Sequence, residues 1–111
     1  MKQSKTVIDV IKSLIAIKNI DEFALRPEEN AVASQHHVLG RNLRNGLCLW
    51  NPESVIAKEF NQIGISHPDD MSGILLTTLH RILNFNQIDL RGQVAEYQKY
   101  WASYPAEGIE E

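Results

Sequence analysis

Four histidines (His36, His37, His67 and His80) and two adjacent carboxylates (Asp69 and Asp70) are the side chains of this 111-residue chain best suited to metal or acid–base chemistry. A metal-dependent hydrolase would draw on His36, His67, Asp69 and Asp70. Their spacing does not favour it: the chain has no His-Glu-x-x-His, no paired-cysteine motif and no calcium loop. His36 and His37 are neighbours, so on a helix they project about 100° apart and do not readily face one ion. Asp69 and Asp70 are adjacent in sequence rather than opposed across a cleft, a poor arrangement for acid–base work. The single Cys48 lies among Leu47, Leu49 and Trp50, where a thiol is usually an inert small hydrophobe. No glycine-rich phosphate loop and no nucleophile elbow occur. The expectation is a protein that is not an enzyme and that needs no metal or cofactor.

Binding surfaces are the other source of function. Up to Trp50 the chain has seven Lys/Arg against five Asp/Glu, or +2; from Asn51 it has four against nine, or −5. An acidic second half argues against nucleic acid, because phosphate neutralisation needs Lys and Arg. It suits a basic protein partner, although a solvated surface explains the same bias. Glu53, Glu59, Glu96 and Glu107 are the acidic candidates for such a contact. Val94, Tyr97, Trp101 and Tyr104 follow one helical face, with Tyr100 one position off it. Aromatics at this spacing are more often core, yet Tyr and Trp also dominate binding hot spots, so both readings stand. Arg41 and Arg44, one turn apart with His37 before them, form a small positive face. Asp69 or Asp70 is a natural partner for it, and that pair would tie two helices together.

These residues need helices to position them. Met71, Ile74, Leu75, Leu79, Ile82 and Leu83 recur at three- and four-residue steps, and Leu76 widens the stripe beyond what one neighbour would cover. The spacing predicts a central helix over about Pro68–Leu83. Ser66 is its expected cap, with Asp69 as capping-box partner and Pro68 in the first turn. A second helix is expected from Pro27 to about Asn45, where Asn45-Gly46 reads as a left-handed stop. Gly40 inside it costs about 1 kcal/mol relative to Ala, which suggests a close neighbour there or a helix break. Leu47 to Trp50 reads as a buried connector. Asn51 is the expected cap of a third helix, with Val55, Ile56, Phe60 and Ile63 on its inner face and Gly64 at its end. Asp89 is the expected cap of a last helix from Leu90 to about Ser103.

At the N-terminal end, Val7, Ile8, Ile11, Leu14 and Ile15 share a helical face over Lys5–Lys18, while their β-branched content keeps a strand open as an alternative. Asn19 to Arg26 reads as a connector anchored by Phe23 and Leu25. The whole is an all-α single domain over 1–105, a bundle of about five helices around the central one. Residues 106–111 read as an acidic tail. No apolar run reaches the length of a membrane span, and Asp9 and Lys12 interrupt the one candidate signal core, so the cytoplasm is the expected compartment.

Two segments together resemble a known pattern. His36-His37-Val38-Leu39-Gly40-Arg41-Asn42-Leu43-Arg44-Asn45, continuing through Gly46 to Trp50, is similar to a run of His, Leu-Gly, Arg-Asn and Gly-Leu-Trp. Ile65-Ser66-His67-Pro68-Asp69-Asp70-Met71-Ser72 resembles the His-Pro-Asp-Asp-Met-Ser element that follows it. The pattern belongs to small bacterial helical domains of poorly defined biochemistry, some of which look like immunity proteins encoded beside polymorphic or contact-dependent growth-inhibition toxins. Cys48 stands where the pattern commonly has Gly, and Leu47 where it often has an aromatic residue. Gly40, Arg44, Asn45, Trp50, Ser66, His67, Pro68, Asp69 and Asp70 fall on the motif as structural positions. The resemblance implies a monomer that binds the C-terminal domain of a cognate toxin one to one, with no direct nucleic-acid or membrane contact. It also implies that toxin-binding residues lie outside the shared motifs. A self-associating scaffold using the Tyr97–Tyr104 face is the alternative, and the metal-dependent hydrolase is a second one.

Overall fold

The computed structural model describes residues 6–17 and 20–103. The chain forms α1 (Val7–Ile15), α2 (Ile20–Leu25), α3 (Glu28–Gln35), a π-helical turn (His36–Gly40), α4 (Arg41–Gly46), α5 (Val55–Gln62), α6 (Pro68–Leu83) and α7 (Leu90–Ser103). It is an all-α bundle, with no strand among the described residues. Every other element touches α6, whose Met71, Ile74, Leu75, Leu76 and Leu79 are essentially inaccessible to solvent. The broad apolar stripe is therefore explained by neighbours on all sides.

Local chemistry sets each helix start. Thr6 caps α1 with a reciprocal box: its hydroxyl accepts from the Asp9 N–H, and the Asp9 carboxylate accepts from the Thr6 N–H, both at 3.2 Å. These paired caps decide for helix over strand despite the β-branched content. The buried face is Val10, Ile11 and Leu14; Ile8 and Ile15 lie outside it, exposed. The face is thus rotated from the expected one, with Val10 turned into the core and Ile8 turned out of it.

Several sequence expectations are corrected. The segment before Pro27 contains the short helix α2; Phe23 is buried, but Leu25 is 85% exposed. Two residues apart on a helix point in nearly opposite directions, so both cannot anchor one face. The expected helix from Pro27 is capped by Pro27, whose carbonyl accepts from the Ala31 N–H at 2.8 Å, and is interrupted by the π turn ending at Gly40. The left-handed residue after α4 is Cys48 (φ 55°), not Gly46. That turn drives Leu49 inward and leaves Cys48 and Trp50 exposed, so the connector is buried only in part. Asn51 does not cap α5. It accepts from the Glu53 N–H in a local turn, and Ser54 caps α5 through the Ala57 N–H. Ile56, Ala57 and Phe60 are the inner face of α5, with Val55 and Ile63 exposed.

The cap of α6 is His67 rather than Ser66. Its Nδ1 accepts from the Asp69 N–H at 3.0 Å. With Pro68 as the first helical residue, the cap position falls on the residue before it, and an unprotonated imidazole nitrogen does the work of a hydroxyl. Gly64 (φ 95°) is the left-handed residue just past the end of α5, which stops at Gln62 with Ile63 as its cap, in line with the expected helix end. Asp89 adopts φ 49° and accepts from the Gly92 N–H at 3.1 Å at the start of α7.

Candidate functional site

The first turn of α6 is where the chemistry-bearing residues meet. Arg44, on α4, is buried beneath it and uses its guanidinium three ways. Nη1 donates to Ser72 Oγ at 2.8 Å, Nη2 donates to the His36 carbonyl at 3.1 Å, and Nε lies 3.4 Å from Asp69 Oδ1. Ser72 Oγ in turn donates to the Asp69 carbonyl at 3.0 Å. One side chain thus holds the π turn, α4 and the start of α6 in register. Gly40 makes room for it: a Cβ there would sit 3.1 Å from Arg44 Nη1 and 3.6 Å from Leu76 Cδ1. The expected close neighbour at Gly40 is real, and so is the expected carboxylate partner of Arg44.

Above this buried layer an aromatic file crosses the surface. Trp50 meets the His67 ring edge to face at 5.7 Å, His67 stacks on Trp101 at 5.9 Å, and Trp101 meets Tyr100 edge to face at 5.2 Å. The Trp101 Nε1–H donates to Asp70 Oδ2 at 2.7 Å. A cavity of about 430 Å³ opens between His67, Asp69 and Asp70 of the α6 start and Glu96, Tyr97, Tyr100 and Trp101 of α7. Tyr97 reaches down to α6 at Gly73, where a Cβ would collide with its hydroxyl. Burial pushes the Tyr97 phenol above its usual value, and the nearby Asp70 charge adds to the effect.

The other sequence candidates are dispersed. Glu53 pairs with Lys58 on the surface at 3.2 Å. Glu59 accepts from the Val7 N–H at 3.1 Å, and so holds the start of α1 against α5. Asn45 is exposed at the end of α4, and Ser66 is exposed before α6. Tyr104 and Glu107, with the rest of the acidic tail, lie outside the described residues. Trp50, expected in the core, is 60% exposed and contributes to the aromatic file instead. His36 packs edge to face on His37 at 4.7 Å. His80 is buried under Phe23, with Nε2 2.7 Å from the Arg26 carbonyl. Among the described residues no three His, Cys, Asp or Glu side chains gather as metal ligands would.

Sequence reasoning missed two features. One is the pairing of His67 with Trp101, which only the return of α7 creates. The other is an apolar groove of about 740 Å³ between α1, α5 and α6, lined also by Ile88 and Leu90. The exposed Ile8, Ile15 and Ile63 along it were the available signal.

No described helix is long and apolar enough to cross a membrane. A family model described as a domain of unknown function, DUF6794, matches residues 5–83, from the start of α1 to the end of α6. No curated protein and no solved structure gives a match.

Proposed function

The chain belongs to the DUF6794 family, and from that premise we propose that it is an immunity protein, acting in the cytoplasm, that binds a cognate toxin domain and blocks its active site or substrate groove. One observation carries the reading. Helix α7 lies outside the family-matched segment, buries only Gln93 fully, and turns Glu96, Tyr100 and Trp101 outward beside the acidic first turn of α6. A common scaffold with a partner-specific aromatic and acidic helix is the division of labour that a toxin-specific inhibitor requires. The resemblance of the His36–Trp50 and Ile65–Ser72 segments to a pattern of small bacterial helical domains, some of which look like immunity proteins, supports it. Nuclease toxins carry basic substrate grooves, which such a face complements.

Calorimetric titration with the C-terminal domain of the protein encoded immediately upstream tests the proposal. Saturable one-to-one binding at nanomolar strength, about −12 kcal/mol, is the expected result. Absence of heat together with absence of co-elution overturns it. The apolar groove beside α1 favours self-association as a second reading, and light scattering across a concentration range separates the two: a constant monomer mass removes it.

A further inference from the structure

Three carboxylates converge on the cavity beside Trp101. Asp70 is nearly buried and receives the Trp101 N–H, the Asp69 side chain is 45% exposed, and Glu96 is exposed on the facing helix. The positive charge opposing them is limited. Arg44 offsets Asp69 from below, and the α6 N-terminus supplies about half a charge, leaving about one and a half negative charges around the opening. The His67 Nδ1 is turned toward the backbone, where it accepts from the Asp69 N–H at 3.0 Å. The remaining walls are the rings of Tyr97, Tyr100 and Trp101. Aromatic faces combined with carboxylates recognise a cation, and a planar one best, because it can stack and hydrogen-bond at the same time.

We propose that this cavity receives one arginine side chain of a basic partner protein, its guanidinium stacked on the outer aromatic rings and facing Glu96, which lies outside the shared motifs, while Asp70 of the motif forms the base of the cavity. The occupant is an arginine rather than a nucleotide or an anion, because each ionisable group lining the opening other than His67 and the tyrosines is acidic. The proposal rests on the inhibitor reading for the identity of the partner, but the recognition chemistry is independent of it.

A titration followed by NMR tests the cavity directly. N-acetyl-arginine amide is added to the full chain while the indole N–H resonance missing from Trp101→Phe is followed. The matching citrulline derivative, a neutral isostere, serves as the control. The expected result is a saturable shift with arginine, at least fivefold weaker binding of citrulline, and a severalfold loss of arginine affinity in Glu96→Gln and Tyr100→Ala, both surface changes. Equal response to arginine and citrulline, or no saturable shift, overturns the proposal. The same two variants are then titrated with the upstream toxin domain. If the toxin domain binds wild type and both variants equally, the arginine site falls and the inhibitor reading stands. If the arginine derivative binds and the toxin domain does not, the inhibitor reading falls alone.

Discussion

Trp101 and Asp70 are joined by a hydrogen bond of 2.7 Å across 31 residues of sequence, and this contact fastens the end of α7 to the first turn of α6. The carboxylate already sits in the favourable field of the helix N-terminus, so the indole completes its solvation where water has little access. The same indole stacks on His67, the residue that caps α6. Cap, carboxylate and aromatic are thus one assembly.

Replacing Trp101 with Phe should keep much of the stacking but remove the donor to Asp70. The expected cost is about 1–2 kcal/mol, the value of one hydrogen bond to a charged, poorly solvated group. Urea denaturation reads it directly, and Asp70→Asn in the Trp101→Phe background should recover part of the loss. Additive losses would show that the two residues do not act as a pair.

Arg44 is the buried charge on which three elements converge. Arg44→Ala leaves Ser72 and the His36 carbonyl without their donor and Asp69 without its ion-pair partner, and should cost about 3–5 kcal/mol. Arg44→Lys should rescue little, since one ammonium cannot span a hydroxyl, a carbonyl and a carboxylate spread around a planar fork. A chemical midpoint for the lysine variant within error of wild type would rule out the geometric role.

The bidentate pair of Glu28 with Arg81, at 2.7 and 3.2 Å, predicts an acid limb. The hydrogen bond from Arg81 holds the Glu28 carboxyl below its usual value near 4.5. A carboxyl depressed in the folded state stabilises above its unfolded value, and that stability is lost as the pH falls through the lower folded value. The pair is partly exposed, so the effect should not exceed about 1 kcal/mol. Glu28→Gln should flatten the dependence of stability on pH below about 4.5 relative to wild type, as measured by denaturation at a series of pH values.

Tyr97 predicts the opposite limb. Its phenol is raised from the ordinary value of 10.0 by burial and then by the Asp70 charge. The stability tied to it is complete below 10.0 and is lost as the pH rises through the higher folded value, because only the unfolded chain ionises easily in that window. Tyr97→Phe should be less sensitive to alkaline pH. Ultraviolet titration of wild type against the variant should show a tyrosine ionisation above the ordinary value of 10.0 that Tyr97→Phe lacks.

Signals that act within a few residues fix the two longest helices. Pro68 in the first turn, Asp69 and Asp70 after it, and an apolar stripe too wide for one neighbour place α6 at Pro68–Leu83 and at the centre of the bundle. The span of α7 follows from Asp89 and its helical spacing in the same way. Gly40 announced a close approach, because a glycine in a helix interior carries a cost that needs a reason. Caps were less legible: Ser66 and His67 both offer an acceptor, and only the backbone path into Pro68 selects the imidazole.

The site itself was legible only as a roster. Asp69, Asp70, His67, Glu96, Tyr97, Tyr100 and Trp101 all stood out in the sequence, but nothing in their spacing joined α7 to the start of α6. Composition and periodicity determined an all-α bundle and its central helix, because hydrophobic period, proline position and helix-end charge act within a few residues. The tertiary structure alone decided that Trp101 lies on His67, that Arg44 is buried under Asp69, and that Trp50 reaches the surface. Those outcomes depend on which faces remain once every helix has packed on α6, and that competition is settled by the whole chain at once.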